Sequence, residues 1–227
     1  MKTAVLAAAA VAIAAGTSQG AIEQYSTNFS FDPAIIGPGF ADVTVQLPKF
    51  NTMGGTRTLQ FIELLLDATV SANVTAENDS ASAVTSITLN LIGSVEAVAP
   101  NALTAFASMN QNVASPPGSL APSDGVPGSG PDFYDFGFVS GNGSGNGVLF
   151  LPPTFAPYLY AGGPVQFFDV DIFADAAYQL GGVGNSTINV SDLLASGIVT
   201  VRYTYIPAPG AVALIALGGL AAARRRR

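Results

Sequence analysis

Apolar side chains recur at every second position along much of this 227-residue chain, and that period points to strands. In 198–206, Val199, Val201, Tyr203 and Tyr205 share one face while Thr200, Arg202 and Thr204 share the other. Within 60–74, Ile62, Leu64, Leu66, Val70 and Val74 fall on one side, and Ile87, Leu89, Leu91 and Val95 repeat the pattern. Phe168, Val170 and Ile172 do so again, with Asp169 and Asp171 turned away. Val43, Val45 and Leu47 make a shorter run, and Tyr25, Thr27, Phe29 and Phe31 mark a first strand. The side chains are β-branched and aromatic, as pleated surfaces favour. Clusters of Gly, Pro, Asn and Ser separate the runs, so the expected fold is all-β: an antiparallel, jelly-roll-like β-sandwich whose two sheets enclose the alternating faces.

Helical signals are few. The run 61–68 is ambiguous by period alone, but its continuation through Thr69, Val70 and Thr75 favours a strand. At 191–196 a Ser or Asp cap and the following Gly197 predict a single helical turn. The stretch 115–131 holds five prolines and four glycines in 17 residues. Proline removes ladder donors and glycine raises the ordering cost, so a long loop is expected, either functional or an insertion without order. The run 141–147, Gly-Asn-Gly-Ser-Gly-Asn-Gly, reads as a flexible turn; with no following helix and no Lys it is not a phosphate cradle. Between them, 132–138 is an aromatic-acidic segment expected to pack back onto the sandwich. No long period recurs.

The two ends differ from this body. Lys2 precedes an apolar stretch at 4–15 and then small and polar residues, the layout of a secretory signal peptide over 1–20, with the cut expected between Gly20 and Ala21. A buried N-terminal helix is the alternative, although an Ala-rich segment with no polar face has little to pack with. At the C-terminus, Pro207, Ala208, Pro209 and Gly210 precede an apolar segment at 211–223, which Arg224, Arg225, Arg226 and Arg227 close. Thirteen helical residues reach about 20 Å, whereas a hydrocarbon core needs about 30 Å. Four arginines halt translocation, so this short hydrophobic helix suits a transient membrane signal better than a lasting anchor. The tripartite tail at 207–227 resembles a PEP-CTERM sorting signal, with Ala208 where the family name implies Glu. That resemblance implies a bacterial protein sorted at the membrane and cut near the motif by an exosortase, after signal peptidase has acted at the other end. A plain single-pass anchor that keeps its tail stays open.

Composition narrows the chemistry of the body at 21–206. It carries all 15 carboxylates of the chain but only Lys49, Arg57 and Arg202 as cations, a formal charge of −12. Such a surface repels phosphate backbones, so no nucleic-acid partner is expected. Neither cysteine nor histidine occurs, which removes thiol chemistry, the commonest general base and the commonest zinc ligand. Tryptophan is absent too, which disfavours a Trp-platform carbohydrate module while leaving seven tyrosines.

A second resemblance covers the larger part of the body. The run Val43-Thr-Val-Gln-Leu-Pro-Lys-Phe-Asn51, a Gly54-Gly55 turn, Leu59-Gln-Phe-Ile-Glu-Leu-Leu-Leu-Asp67 and the closing Gly197-Ile-Val-Thr-Val-Arg-Tyr-Thr-Tyr205 are similar to the choice-of-anchor E family. This family implies a secreted β-domain bearing an interchangeable sorting tail, and it supplies no catalytic residues.

The candidate chemistry is sparse. Asp169 and Asp171 point to one side of a strand with Asp175 nearby and could share Ca²⁺, but no Asp-rich loop or EF-hand spacing supplies six to eight oxygens, and solvent-facing carboxylates are the simpler reading. Asp132 and Asp135 flank Phe133 and Tyr134, an arrangement suited to a sugar-contacting surface or to ordinary loop packing. A pair of carboxylates for glycoside hydrolysis arises easily by chance among so many acids. Six Asn-x-Ser/Thr sites, at Asn28, Asn73, Asn78, Asn142, Asn185 and Asn189, are expected at solvent-facing positions. The expectation is therefore a non-catalytic exported protein of the cell surface or extracellular matrix, without cofactor or catalytic metal, with exopolysaccharide as a possible partner. The rival is a carbohydrate-binding or carbohydrate-active module, which calls for a concave acidic face with two or more exposed tyrosines.

Overall fold

Every alternating run forms a strand, and strands occupy most of the described chain. The computed structural model describes residues 20–32, 34–35, 41–116, 118 and 120–207. In chain order these form β1 (Ala21–Phe31), β2 (Ala34–Ile35), β3 (Ala41–Pro48), β4 (Phe50–Asn51), β5 (Arg57–Asn78), β6 (Thr88–Ala99), β7 (Leu103–Ala114), β8 (Phe133–Leu149), β9 (Leu159–Tyr160), β10 (Phe167–Gly181) and β11 (Ser186–Pro207), with 3₁₀ turns at Pro100–Ala102 and Pro152–Tyr158. One sheet has the order β1-β11-β5-β8, antiparallel throughout. In the other, β7 pairs with β6 and β6 with β10, whose far side carries β3. Two short pairings depart from the antiparallel expectation: β2 joins β10 and β4 joins β9 in parallel.

The inner faces of the two sheets share one core. Leu64, Leu66, Val70, Val74, Val199, Val201 and Tyr203 come from the first sheet, and Leu47, Leu89, Leu91, Val95, Val170 and Ile172 from the second. Near the start of the long strand β5, large rings fill the gap: Phe50 lies 5.5 Å from Tyr203, and Tyr158 packs edge-on to Phe168 at 4.9 Å. At the opposite edge, where β7 faces β8, the filling shrinks to Ala105 and Ala107 against glycine.

That edge overturns the expected turn at 141–147, which lies inside β8. Alternating glycines face inward, and the backbone of β7 approaches so closely that side chains have no room. A Cβ on Gly143 would stand 2.5 Å from the Ser108 carbonyl oxygen, and one on Gly145 or Gly147 would come closer still to Phe106 or Thr104. Glycine at every second position is itself a period of two, so the run obeys the strand rule with the inner side chain reduced to hydrogen.

The expected helical turn at 191–196 is likewise strand. The register of β11 on β5 slips between Ser191 and Leu194, and Asp192 sits at φ 52°. An Asp that tolerates left-handed backbone serves a β-bulge as readily as a helix cap; here Asn73 Nδ2 donates to Asp192 Oδ2 at 2.8 Å.

Candidate functional site: the strand ends and the acidic face

Of the expected processing positions, Gly20, Ala21 and Pro207 lie among the described residues; Ala208, Pro209, Gly210, the 211–223 segment and Arg224, Arg225, Arg226 and Arg227 lie outside them, as do residues 1–19. Gly20 is exposed, Ala21 opens β1, and Pro207 closes β11, one residue beyond the expected body. The two ends are neighbours, for Ala21 pairs with Tyr205 and Pro207 with Arg57. Among the described residues no helix is long and apolar enough to cross a membrane.

An aromatic clasp fastens these ends. The Arg57 guanidinium lies 4.0 Å from the Tyr205 ring centre and 4.4 Å from that of Phe50, donates to the Asn51 carbonyl at 3.1 Å, and forms an ion pair with Glu23. Burial works against its charge, but the hydrogen bond and charge of Glu23 outweigh it and hold the Arg57 pKa above its ordinary value. Tyr25 also donates to Glu23; burial first, then this bond, pushes its hydroxyl up to about 12. Nothing in the local sequence announced this cluster, because its members come from four separate strands.

Asp169 and Asp171 point outward from β10, as expected, and each is engaged by β3: Gln46 Nε2 donates to Asp169 Oδ1 at 2.9 Å, and Thr44 Oγ1 to Asp171 Oδ1 at 2.7 Å. Neutral partners leave both charges uncompensated. The register adds Asp42 and Glu96 on either side of Phe173, and Ser94 beside Asp175. With exposed Phe106, Phe167 and Ile92 the outer face of this sheet mixes acids and apolar groups. Among the described residues no group of three or more Asp, Glu, His or Cys gathers here or elsewhere.

Of the two readings of 132–135, the geometry favours ordinary packing, and the segment lies back on the sandwich as expected. Asp132 is fully buried, and Tyr134 packs edge-on to Phe136 at 4.9 Å against a small core of Ala76, Ile87 and Leu120. The exposed tyrosines required of a carbohydrate platform are also missing, since all seven are buried or half-buried. Burial alone raises Tyr178 to about 12 and Tyr158 further; Tyr203 is raised by burial first and then by neighbouring Tyr158, Tyr25 and Glu23. Tyr158 and Tyr203 lie inside the core, and Tyr178 packs against it half-buried.

The described residues of the 115–131 loop are irregular, as expected, but are stitched down. Leu120 is buried and its carbonyl accepts the Val84 N–H at 3.1 Å, while Ala121 N donates to Pro131 O and Ser123 N to Ser80 O, each at 2.9 Å. Asn78, expected at a solvent-facing position, is instead fully buried: its Nδ2 donates to the carbonyls of Ala121 at 2.7 Å and Ser82 at 2.9 Å. Asn73 is half-buried, and Asn28, Asn142, Asn185 and Asn189 are exposed. Glu77, nearly buried, accepts the Gly128 N–H at 2.9 Å.

No family model and no curated protein matches the chain. Solved structures give faint likenesses only. One of the infectious bursal disease virus Gx strain is 10% identical over 92% of this chain and 48% of its own, with a TM-score of 0.20. The VP2 subviral particle of that virus is 11% identical over 83% and 43%, with a TM-score of 0.14. The chain thus spans less than half the length of these proteins, and at such scores the likeness carries no argument about fold or function.

Proposed function

We propose that this chain is an exported, non-catalytic protein of the bacterial cell surface or extracellular matrix: a jelly-roll β-sandwich delivered by an N-terminal signal peptide and sorted through its PEP-CTERM-like tail. The carrying observation is the placement of the expected cuts. Loss of residues up to Gly20 leaves Ala21 as the first residue of β1, and loss of residues beyond Pro207 leaves every pair of β11 in place. Both cuts would thus fall outside the hydrogen-bonded body, on adjacent strands at one end of the molecule. The jelly-roll reading is supported by the eight longer strands: numbered along the chain, they run first-eighth-third-sixth in one sheet and second-seventh-fourth-fifth in the other. The absence of His and Cys from the sequence supports a role in structure or adhesion over catalysis.

Fractionation of the native host, followed by mass spectrometry of both termini, tests this reading. The expected product is an envelope or extracellular form that begins at Ala21 and ends near 207–210. Recovery of a soluble cytoplasmic form with Arg227 intact would overturn it. Carbohydrate binding is the weaker reading, since none of the seven tyrosines is exposed; exopolysaccharide contact would have to use the acidic face and its exposed phenylalanines.

A further inference from the structure

Two carboxylates in the loop ahead of β8 turn toward one point. Asp124 N–H donates to Asp132 Oδ2 at 2.8 Å, and Asp124 Oδ1 accepts the Val126 N–H at 2.8 Å. Each acid thereby has one oxygen engaged by backbone and one to spare. Asp132 Oδ1 is buried and has no hydrogen-bond partner, on a residue with 0% exposure. The spare oxygens converge over Gly130: the position a Cβ would take there is 2.9 Å from Asp132 Oδ1 and closer still to Asp124 Oδ2. Only glycine suits that position, at φ 104° and with two anionic oxygens above it.

Asp132 is buried while Asp124 stays at the surface, and a buried carboxylate oxygen with no donor, facing a second carboxylate, calls for a cation. The two ion pairs of the described residues are spent on Glu23 and Glu63, so neither aspartate has a cationic side chain beside it. Glu77, bonded to Gly128 in the same loop, adds negative charge. The donors are all hard oxygens, with no imidazole or thiolate in the chain, which selects a hard ion over zinc or copper. Irregular loop geometry suits calcium, which accepts varied coordination completed by carbonyls and water, better than magnesium with its strict octahedron. We propose that Asp124 and Asp132 form a calcium site over Gly130 that locks the 115–131 loop onto the sandwich. This site is separate from Asp169 and Asp171 and does not depend on the export reading.

Calcium chloride titrated into the EDTA-stripped full chain, followed by calorimetry and thermal melting, tests the proposal. One site is expected with a Kd of about 0.1–1 mM, in the range of extracellular calcium modules. At 10 mM calcium, Tm should rise by about 3–10 °C relative to magnesium at equal ionic strength. Asp124→Asn, at an exposed position, should lose this rise while Asp169→Asn keeps it. Terbium luminescence sensitised by tyrosine gives a second readout on the unaltered chain. The proposal falls if the unaltered chain shows neither a binding isotherm nor a calcium-specific rise, or if Asp124→Asn keeps the full response.

Discussion

Gly145→Ala is the sharpest probe of how the thin edge of the sandwich is built. The new methyl would point from β8 into the backbone of β7, closer to the Phe106 carbonyl oxygen than the 2.5 Å found at Gly143, whereas ordinary contact begins near 3.4 Å. Relief therefore requires the two strands to part by about 1.5 Å, and β7 has little freedom because Phe106 is paired with Glu96 in the ladder. Overpacking of this kind costs about 1–3 kcal/mol, and a clash with backbone belongs at the upper end. For a body of 186 residues, about 3 kcal/mol lowers Tm by about 6–12 °C. The signature is a gradient: Gly147→Ala should match Gly145→Ala, Gly143→Ala should cost less, and Gly141→Ala least, because its new methyl would meet the flexible Met109 side chain at 3.3 Å. Ser144→Ala, on the exposed side of the same strand, should change Tm by under about 2 °C. Urea or thermal melts of the five variants decide the matter. Equal, small effects across the glycines would refute the close approach of the sheets and return 141–147 to a loop.

Arg57→Ala should destabilise by about 3 kcal/mol, because it leaves Glu23, 24% exposed, without its charge partner and removes the cation from the Phe50 and Tyr205 rings. Arg202→Ala breaks a more open pair with Glu63 and should cost under about 1 kcal/mol; urea midpoints compare the two. Alkaline titration followed by tyrosinate absorbance should find Tyr25 and Tyr178 still protonated above the ordinary value of about 10. Since their folded-state values are raised, the stability they confer is full below about pH 10 and is lost as pH climbs through about 12, so unfolding and ionisation should coincide there. In concentrated urea the same groups should titrate near 10, and the absence of that difference would contradict their burial.

How far the fold could be read in advance depended on what each residue contributes. Val199, Val201 and Tyr203, or Leu64 and Leu66, declare their face through a side chain, so their strands and their burial were legible. β7 was missed: Ala105 and Ala107 alternate with Thr104, Phe106 and Ser108, and alanine is too weak an apolar signal to stand against exposed phenylalanine. β8 was missed because glycine reads as a breaker unless a partner backbone is known to need its bare Cα. At Asp132 the local sequence allows either sugar contact or loop packing, and its burial depends on Asn78 and Asp124, which are far apart or unremarkable in sequence.

Alternation and branching act on each strand locally, so the order of residues alone sets that this chain is built of strands and which side chains they turn inward. Composition sets the strong acidity of the body and its lack of imidazole and thiol. Which strands pair, how closely the sheets approach at the glycine edge, and which carboxylates meet over Gly130 were decided only by the tertiary structure. These depend on contacts between segments tens of residues apart, and no local period encodes the distance between two backbones.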